Sequence, residues 1–289
     1  MESIYKLEEL EEIIFVSQWL LKDAKVRAVG NSIIKALDEL GVEHDILNDT
    51  ITNNYWCRNY MPVHLGDNTY CGYIYRPDYL WEDEKNRVFI TDQKVASKKV
   101  PTYVTNQLNL IFDGGNYVYC GNKVILTDKV FMENPQWDQI DIMQILESDL
   151  ESDIIIIPWD MDDPYGHADR MVAYLGDNRI LLNNFRQTEK KRNHPMTTRL
   201  IKILERNFDI TELSYDCKLE HNSWCYLNYL ETTKGIIMPA LSPDMDCDND
   251  IAAREQLSKI LQKPIKQVYA KPLVTKGGAI HSVTWGDYE

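Results

Sequence analysis

The chain lacks the cysteine groupings that build metal centres and disulfide frames. Its six cysteines, Cys57, Cys71, Cys120, Cys217, Cys225 and Cys247, stand singly, with no C-x-x-C and no Cys/His ligand spacing. Neither a zinc site nor a disulfide scaffold is indicated, and unpaired thiols fit a reducing cytoplasm. No stretch approaches 18 uninterrupted apolar residues, so no transmembrane helix is expected. The start, Met1-Glu2-Ser3-Ile4-Tyr5-Lys6-Leu7-Glu8-Glu9, has no basic segment followed by an apolar core and is not expected to be a signal peptide. There is no G-x-G-x-x-G and no phosphate-binding G-x-x-x-x-G-K-S/T, which removes the sequence basis for a nucleotide-binding α/β protein. Positive charge is also scarce. Lys and Arg total 31 against 45 Asp and Glu, for a net charge of −14 and a pI near 4.9. General binding to nucleic acid or to an anionic membrane is therefore not expected.

What remains is an ordinary globular composition, 44% hydrophobic and 26% charged over 289 residues, long enough to bury a sizeable core. Strand-like and helix-like patterns alternate along it. Ile13–Val16 reads as a strand, residues 24–40 as a helix with an apolar stripe ending at Gly41, and Val42–Leu47 as a strand. Val118–Leu126 carries two strand-like runs around Gly121-Asn122, followed by a helix near Trp137–Leu150 and a strand at Ile154–Pro158. Met171–Leu182 is extended, with a helix near Thr197–Arg206 and a strand near Ile210–Tyr215. Tyr226–Pro239 gives two strands around Lys234-Gly235, then a helix over Ile251–Leu261 and a strand at Ile265–Ala270. A strand-strand-helix-strand unit thus recurs about every 55 residues, which implies an array or closed ring of units in one domain, residues 1–289. Trp81–Lys98 and Asn184–Pro195, dense in charge, read as solvated loops.

Four stretches carry unusual chemistry. In Asp162-Asp163-Pro164-Tyr165-Gly166-His167-Ala168-Asp169, Pro and Gly interrupt two strands, and His167 and Asp169 stand two residues apart. On a strand that spacing aims both side chains one way, as an acid/base pair requires, although local hydrogen bonding of His167 is an equally simple account. Tyr55-Trp56-Cys57-Arg58-Asn59-Tyr60-Met61-Pro62 crowds aromatics, an Arg and an amide ahead of a Pro. Asp113-Gly114-Gly115-Asn116 could be a hairpin turn or could bring Asp113 close to a ligand. Lys276-Gly277-Gly278-Ala279-Ile280-His281-Ser282 could aim Ser282 or His281 into a cavity, the two facing opposite ways.

Together, and in this order, Trp56-x-Arg58-Asn59-x-x-Pro62, Asp113-Gly114-Gly115-Asn116, Gly166-His167-x-Asp169 and Gly277-Gly278-x-x-x-Ser282 resemble the motifs of guanidino-group modifying enzymes. The similarity is to the branch that holds agmatine deiminase and the Porphyromonas-type peptidylarginine deiminase. It implies a five-bladed α/β propeller of ββαβ units about a pseudo-fivefold axis, with the site on that axis. It also implies hydrolysis of a C–N bond in a small cationic guanidine such as agmatine, arginine or peptidyl arginine, with no cofactor and with a homodimer left open. By the same resemblance His167 is the acid/base, Asp113 orients it, Asp169 and the residue at Asn59 grip the guanidinium, and Trp56, Asn116 and Asp163 contact the substrate.

Two positions depart from the pattern. Ser282 stands where the family has its nucleophilic Cys, and a hydroxyl ionises far less readily than a thiol. Asn59 stands where most members have Asp, although some arginine-dihydrolase-like relatives use Asn here. The chain as written is therefore expected to be inactive or nearly so. It is either a serine-substituted hydrolase or a natural protein that binds a guanidine without turnover.

Overall fold

The structure, a computed structural model, describes residues 12–48, 50–66, 69–98, 100, 103–215, 217–218 and 221–286. Their strands form five separate three-stranded sheets. In each, the first two strands are antiparallel and the third returns parallel to the second. These are five ββαβ blades, and together they make an α/β propeller.

Blade one shows how sequence becomes element. Ile13–Ser17, a β-branched and aromatic run, pairs parallel with Glu43–Leu47. The crossover helix Arg27–Leu40 buries Val29, Ile33, Ala36 and Leu37, one helical face, against the core. Gly41, at φ +70°, ends it by turning the backbone left-handed, so that the N–H groups of Gly41 and Val42 reach the carbonyls of Asp38 and Leu37. The helix starts at Arg27 rather than Ala24, because Asp23–Val26 forms a turn instead.

Blade two comprises Val63–Gly66, Thr69–Ile74 and Tyr103–Ile111. Blade three comprises Val118–Tyr119, Lys123–Thr127 and Asp153–Ile157, with helix Gln139–Leu150. Blade four comprises Val172–Gly176, Arg179–Leu182 and Asp209–Glu212, with helix Pro195–Leu204. Blade five comprises Leu230–Glu231, Ile236–Ala240 and Ile265–Tyr269, with helix Asp248–Leu261. The expected hairpin at Tyr226–Pro239 is thus shorter than its apolar pattern. Tyr226 and Leu227 belong instead to the helical turn Ser223–Leu227.

Each blade hands over to the next through one short helical turn: Cys57–Tyr60, Gly114–Asn116, Ala168–Arg170, Ser223–Leu227 and His281–Val283. All four sequence motifs fall on these handovers. The last strand, Thr284–Gly286, pairs antiparallel with Ile13–Ser17 and supplies blade one's missing strand, so the ring is closed by residues from opposite ends of the described chain. Trp285, 2% exposed, packs on Phe15 and Tyr70, and its indole N–H donates to the Pro62 carbonyl at 2.9 Å. Trp285→Ala should therefore cost about 3–5 kcal/mol in urea unfolding. A cost below about 1 kcal/mol would show that this seam does not hold the ring.

Candidate active site

The handover turns gather around the axis, where the first, second, third and fourth contact one another in sequence and the first also meets the fifth. Close approach there demands glycine. A Cβ on Gly114 would lie 2.0 Å from the Arg58 carbonyl oxygen, and one on Gly115 would lie 2.5 Å from His167 Nδ1. The motif's two glycines therefore admit Arg58 and the imidazole. The Asp113–Asn116 stretch joins blade two to blade three and is not a hairpin.

His167 is buried, and its Nε2 lies 3.1 Å from Asp113 Oδ2. The same Asp113 oxygen accepts from the Tyr79 hydroxyl, while Oδ1 accepts from Gly115 N at 2.9 Å. Burial works against charging His167, but the charge and hydrogen bond of Asp113, helped by Asp169 and Asp163, outweigh it and raise its pKa to about 9. Burial and the neighbouring Asp113 hold the Tyr79 phenol well above its ordinary value.

Ser282 donates its hydroxyl to Asn228 Oδ1 at 3.0 Å, and Ala279 N donates to the same oxygen at 3.0 Å. The Asn228 amide in turn donates to Asp169 Oδ2 at 3.3 Å, and His281 Nδ1 lies 2.9 Å from that oxygen. Asp169 Oδ1 and Asn59 Oδ1 are buried and have no partner among the described residues. The Asn59 amide nitrogen donates to Tyr79 at 3.3 Å.

Ser282, His167, Asn59 and Trp56 line one cavity of about 960 Å³. Its remaining wall includes six aromatics, Trp19, Tyr55, Tyr75, Tyr79, Phe89 and Tyr165, and among the described residues its charged side chains are Asp23 and Lys276. Gly277 (φ +95°) and Gly278 leave space for Tyr165 and Trp56, which an added Cβ would approach to 2.2 and 2.3 Å. Asp113 stands behind His167 rather than in the wall.

Several expectations change. His167 and Asp169 do not lie on a strand. His167 is extended ahead of a single helical turn that contains Asp169, so His167 lines this cavity while Asp169 borders a second one. Asp163 and Asn116, expected to touch substrate, organise backbone. Asp163 accepts from the N–H groups of Tyr165 and His167 and pairs with Arg170, itself stacked 3.6 Å over Trp224. Asn116 Oδ1 accepts from Thr127 N at 2.8 Å. The charged stretch Trp81–Lys98 is not merely solvated, because Asn86, Val88 and Phe89 form part of the cavity wall. Asn54 and Asn53 hold its backbone through the carbonyls of Phe89 and Val88, at 3.2 Å each.

Three positions that hold the site together carry no motif. Asn228 directly follows the fourth handover turn, which counting blades would have flagged as the missing member of five. Tyr79 lies in the long crossover between the second and third strands of blade two. Lys129, 2% exposed, bonds Asp78 at 2.8 Å and reaches the Pro164 carbonyl at 3.4 Å, tying the Tyr79 segment to the His167 loop. None of the cysteines replaces Ser282 as a nucleophile at this wall. Cys57, adjoining Trp56, is fully buried, and burial pushes its thiol up to about 11.

A five-bladed ring with a His–Asp pair and a Gly-Gly loop at its axis is the arrangement that the resemblance of the four motifs implies. The family model described as Porphyromonas-type peptidyl-arginine deiminase matches residues 11–286, and the chain belongs to that family. A Lactococcus lactis protein provisionally named an agmatine deiminase is 25% identical over 228 residues. That alignment covers 66% of this chain and 61% of the relative, less than two thirds of the relative's length. Among solved structures, C. jejuni agmatine deiminase superposes with a TM-score of 0.73 at 17% identity, covering 96% of this chain and 94% of that one. The agmatine deiminase of Enterococcus faecalis gives 0.71 at 17% identity, with 96% and 93% covered. Dimethylarginine dimethylaminohydrolase, solved as an adduct with S-methyl-L-thiocitrulline, gives 0.61 at 14%, with 95% and 98% covered. These likenesses establish the fold.

Because its folded-state pKa lies above the ordinary 6.5, His167 binds its proton more tightly in the folded chain. Its stabilising contribution, roughly 3 kcal/mol, is complete below about pH 6.5 and is lost as pH rises through about 9. His167→Gln should flatten the fall in unfolding free energy between pH 6 and 9.5 by about that amount. Equal falls in parent and variant would sink the assignment.

Proposed function

We propose that this chain captures a small guanidine cation at Ser282, and that its chemistry is hydrolysis of a guanidine C–N bond once a thiol stands at that position. The observation that carries this reading is a buried acceptor that has no partner among the described residues, Asn59 Oδ1, in the cavity wall that also holds Ser282 and His167. The motif order assigns Asn59 to gripping a guanidinium. A planar cation with N–H donors answers it, and the aromatic side chains of the wall favour it further. With its imidazole fixed beside Asp113 and lining the cavity, His167 is placed to exchange a proton with a bound substrate. At neutral pH it is charged and suited to act as an acid.

In the reactive form a thiolate at 282 adds to the guanidino carbon and His167 protonates the departing nitrogen, which leaves as ammonia or an amine. Water then adds to the carbon, His167 takes its proton, and the ureido product leaves with the thiolate regenerated. Ser282 supports only the binding half of this sequence, since its hydroxyl is donated to Asn228, an amide and not a base. Support also comes from a neighbour solved as a cysteine-to-serine agmatine deiminase with substrate bound. Agmatine, arginine and peptidyl arginine are the candidate substrates, and a cytoplasmic, possible homodimeric form of the protein completes the proposal.

Ser282→Cys, a nearly isosteric change, should release ammonia from agmatine, arginine or an N-blocked arginine peptide and form a covalent adduct seen by mass spectrometry. The parent should bind at least one of the three calorimetrically and release nothing. If Ser282→Cys is inert, Asn59→Asp is added. If the double variant still binds but does not turn over, the protein is a guanidine-binding module and not a hydrolase.

A further inference from the structure

Beyond the axis floor lies a second cavity of about 310 Å³, at the other end of the blades. Glu12, which lines it, precedes the strand Ile13–Ser17, whereas Trp19, past that strand's far end, lines the first cavity. Likewise Val118–Tyr119 runs from the Asn116 turn towards this end, and Thr232 and Thr233 belong to the hairpin connection of blade five.

The lining is acidic and aromatic. Of its carboxylates, Glu231 is neutralised by Lys263, 2.7 Å away, whose ammonium also reaches the Thr232 carbonyl at 3.1 Å. Asp169 at the floor is held by His281 and Asn228. Among the described residues Glu12 has no such cation. Its Oε2 accepts from Thr233 N at 2.9 Å and from Thr233 Oγ1 at 2.6 Å, while Oε1 is buried without a partner. The Tyr229 hydroxyl, in the same lining, is also buried without a partner. Both residues are more than nine-tenths buried, at 8% and 5% exposed. An unanswered carboxylate oxygen and an unanswered phenol are each expensive in such a place. A cation with N–H donors satisfies them, and the faces of Tyr119, Tyr174 and Tyr229 suit it. Among the described residues no group of three or more His, Cys, Asp or Glu side chains is spaced for a metal ion, which favours an organic cation. The volume stands at the lower end of small-molecule pockets.

We infer that this cavity is a second ligand site, taking a small aliphatic ammonium ion that donates to Glu12 and Tyr229. The inference is independent of the reaction at Ser282, since it concerns the other end of the axis.

Calorimetry with 1,4-diaminobutane, and with butanoate as the anionic control, tests it on the full chain. The parent and Asn59→Ala should bind the diamine alike, Glu12→Gln should weaken it at least tenfold, Tyr229→Phe several-fold, and butanoate should give no heat. Diamine should also raise the parent's Tm, and this rise should vanish in Glu12→Gln. If Glu12→Gln fails to fold, Tyr229→Phe decides. Absence of diamine heat with folded parent overturns the site. Parent-like binding by both rear variants, or loss of binding in Asn59→Ala, does the same. Guanidine binding is measured on the same samples, so its failure beside intact diamine binding would count against the reaction proposed at Ser282 alone.

Discussion

A carboxylate buried at the middle of a propeller must have its lone pairs answered, and Asp113 sets the terms for everything around it. One oxygen holds His167 and Tyr79, the other the backbone of Gly115. This fixes the imidazole orientation, keeps its charged form at neutral pH, and pins the excursion that carries Tyr79 to the ring. The two glycines beside it exist because the groups they admit must come within contact distance of that carboxylate's turn. Lys129 secures the same excursion from behind, its ammonium engaging Asp78 while burial, opposed by Lys129, lifts Glu133 to about 8.

Charge and cavity are separated in this molecule. The chain carries −14 overall, yet the wall of the larger cavity is rich in aromatics and holds one acid, Asp23, beside one base, Lys276, with Asp113 set behind His167.

The sequence made much of this legible, for reasons that differ by residue. Blades one, three, four and five show themselves because β-branched runs such as Ile154–Ile157 alternate with amphipathic helices such as Arg27–Leu40. Blade two did not. Its strands carry Gly72 and the polar Thr105, Asn106 and Gln107, their register slips twice, and a long excursion separates Ile74 from Tyr103. Motif order pointed to His167, Ser282, Asn59 and Asp113 but could not separate side chains that line the cavity from those that brace a loop. Asp163 and Asn116 share the motifs yet bond backbone, a distinction made by side-chain direction alone. The alternation assumed for His167 and Asp169 failed because a single helical turn replaces the strand there and parts the two directions.

The seam between Thr284–Gly286 and Ile13–Ser17 has a consequence for the order of synthesis. A ribosome delivers every other blade before residue 284, so the nascent chain carries Ile14, Phe15 and Val16 along an unpaired strand edge throughout, exposed to wrong partners. Position 282 arrives two residues before the strand that covers that edge. Nascent chains that stop before residue 282 therefore have neither a closed ring nor Ser282 at the axis, and closure of the ring and completion of the axial cluster become one event.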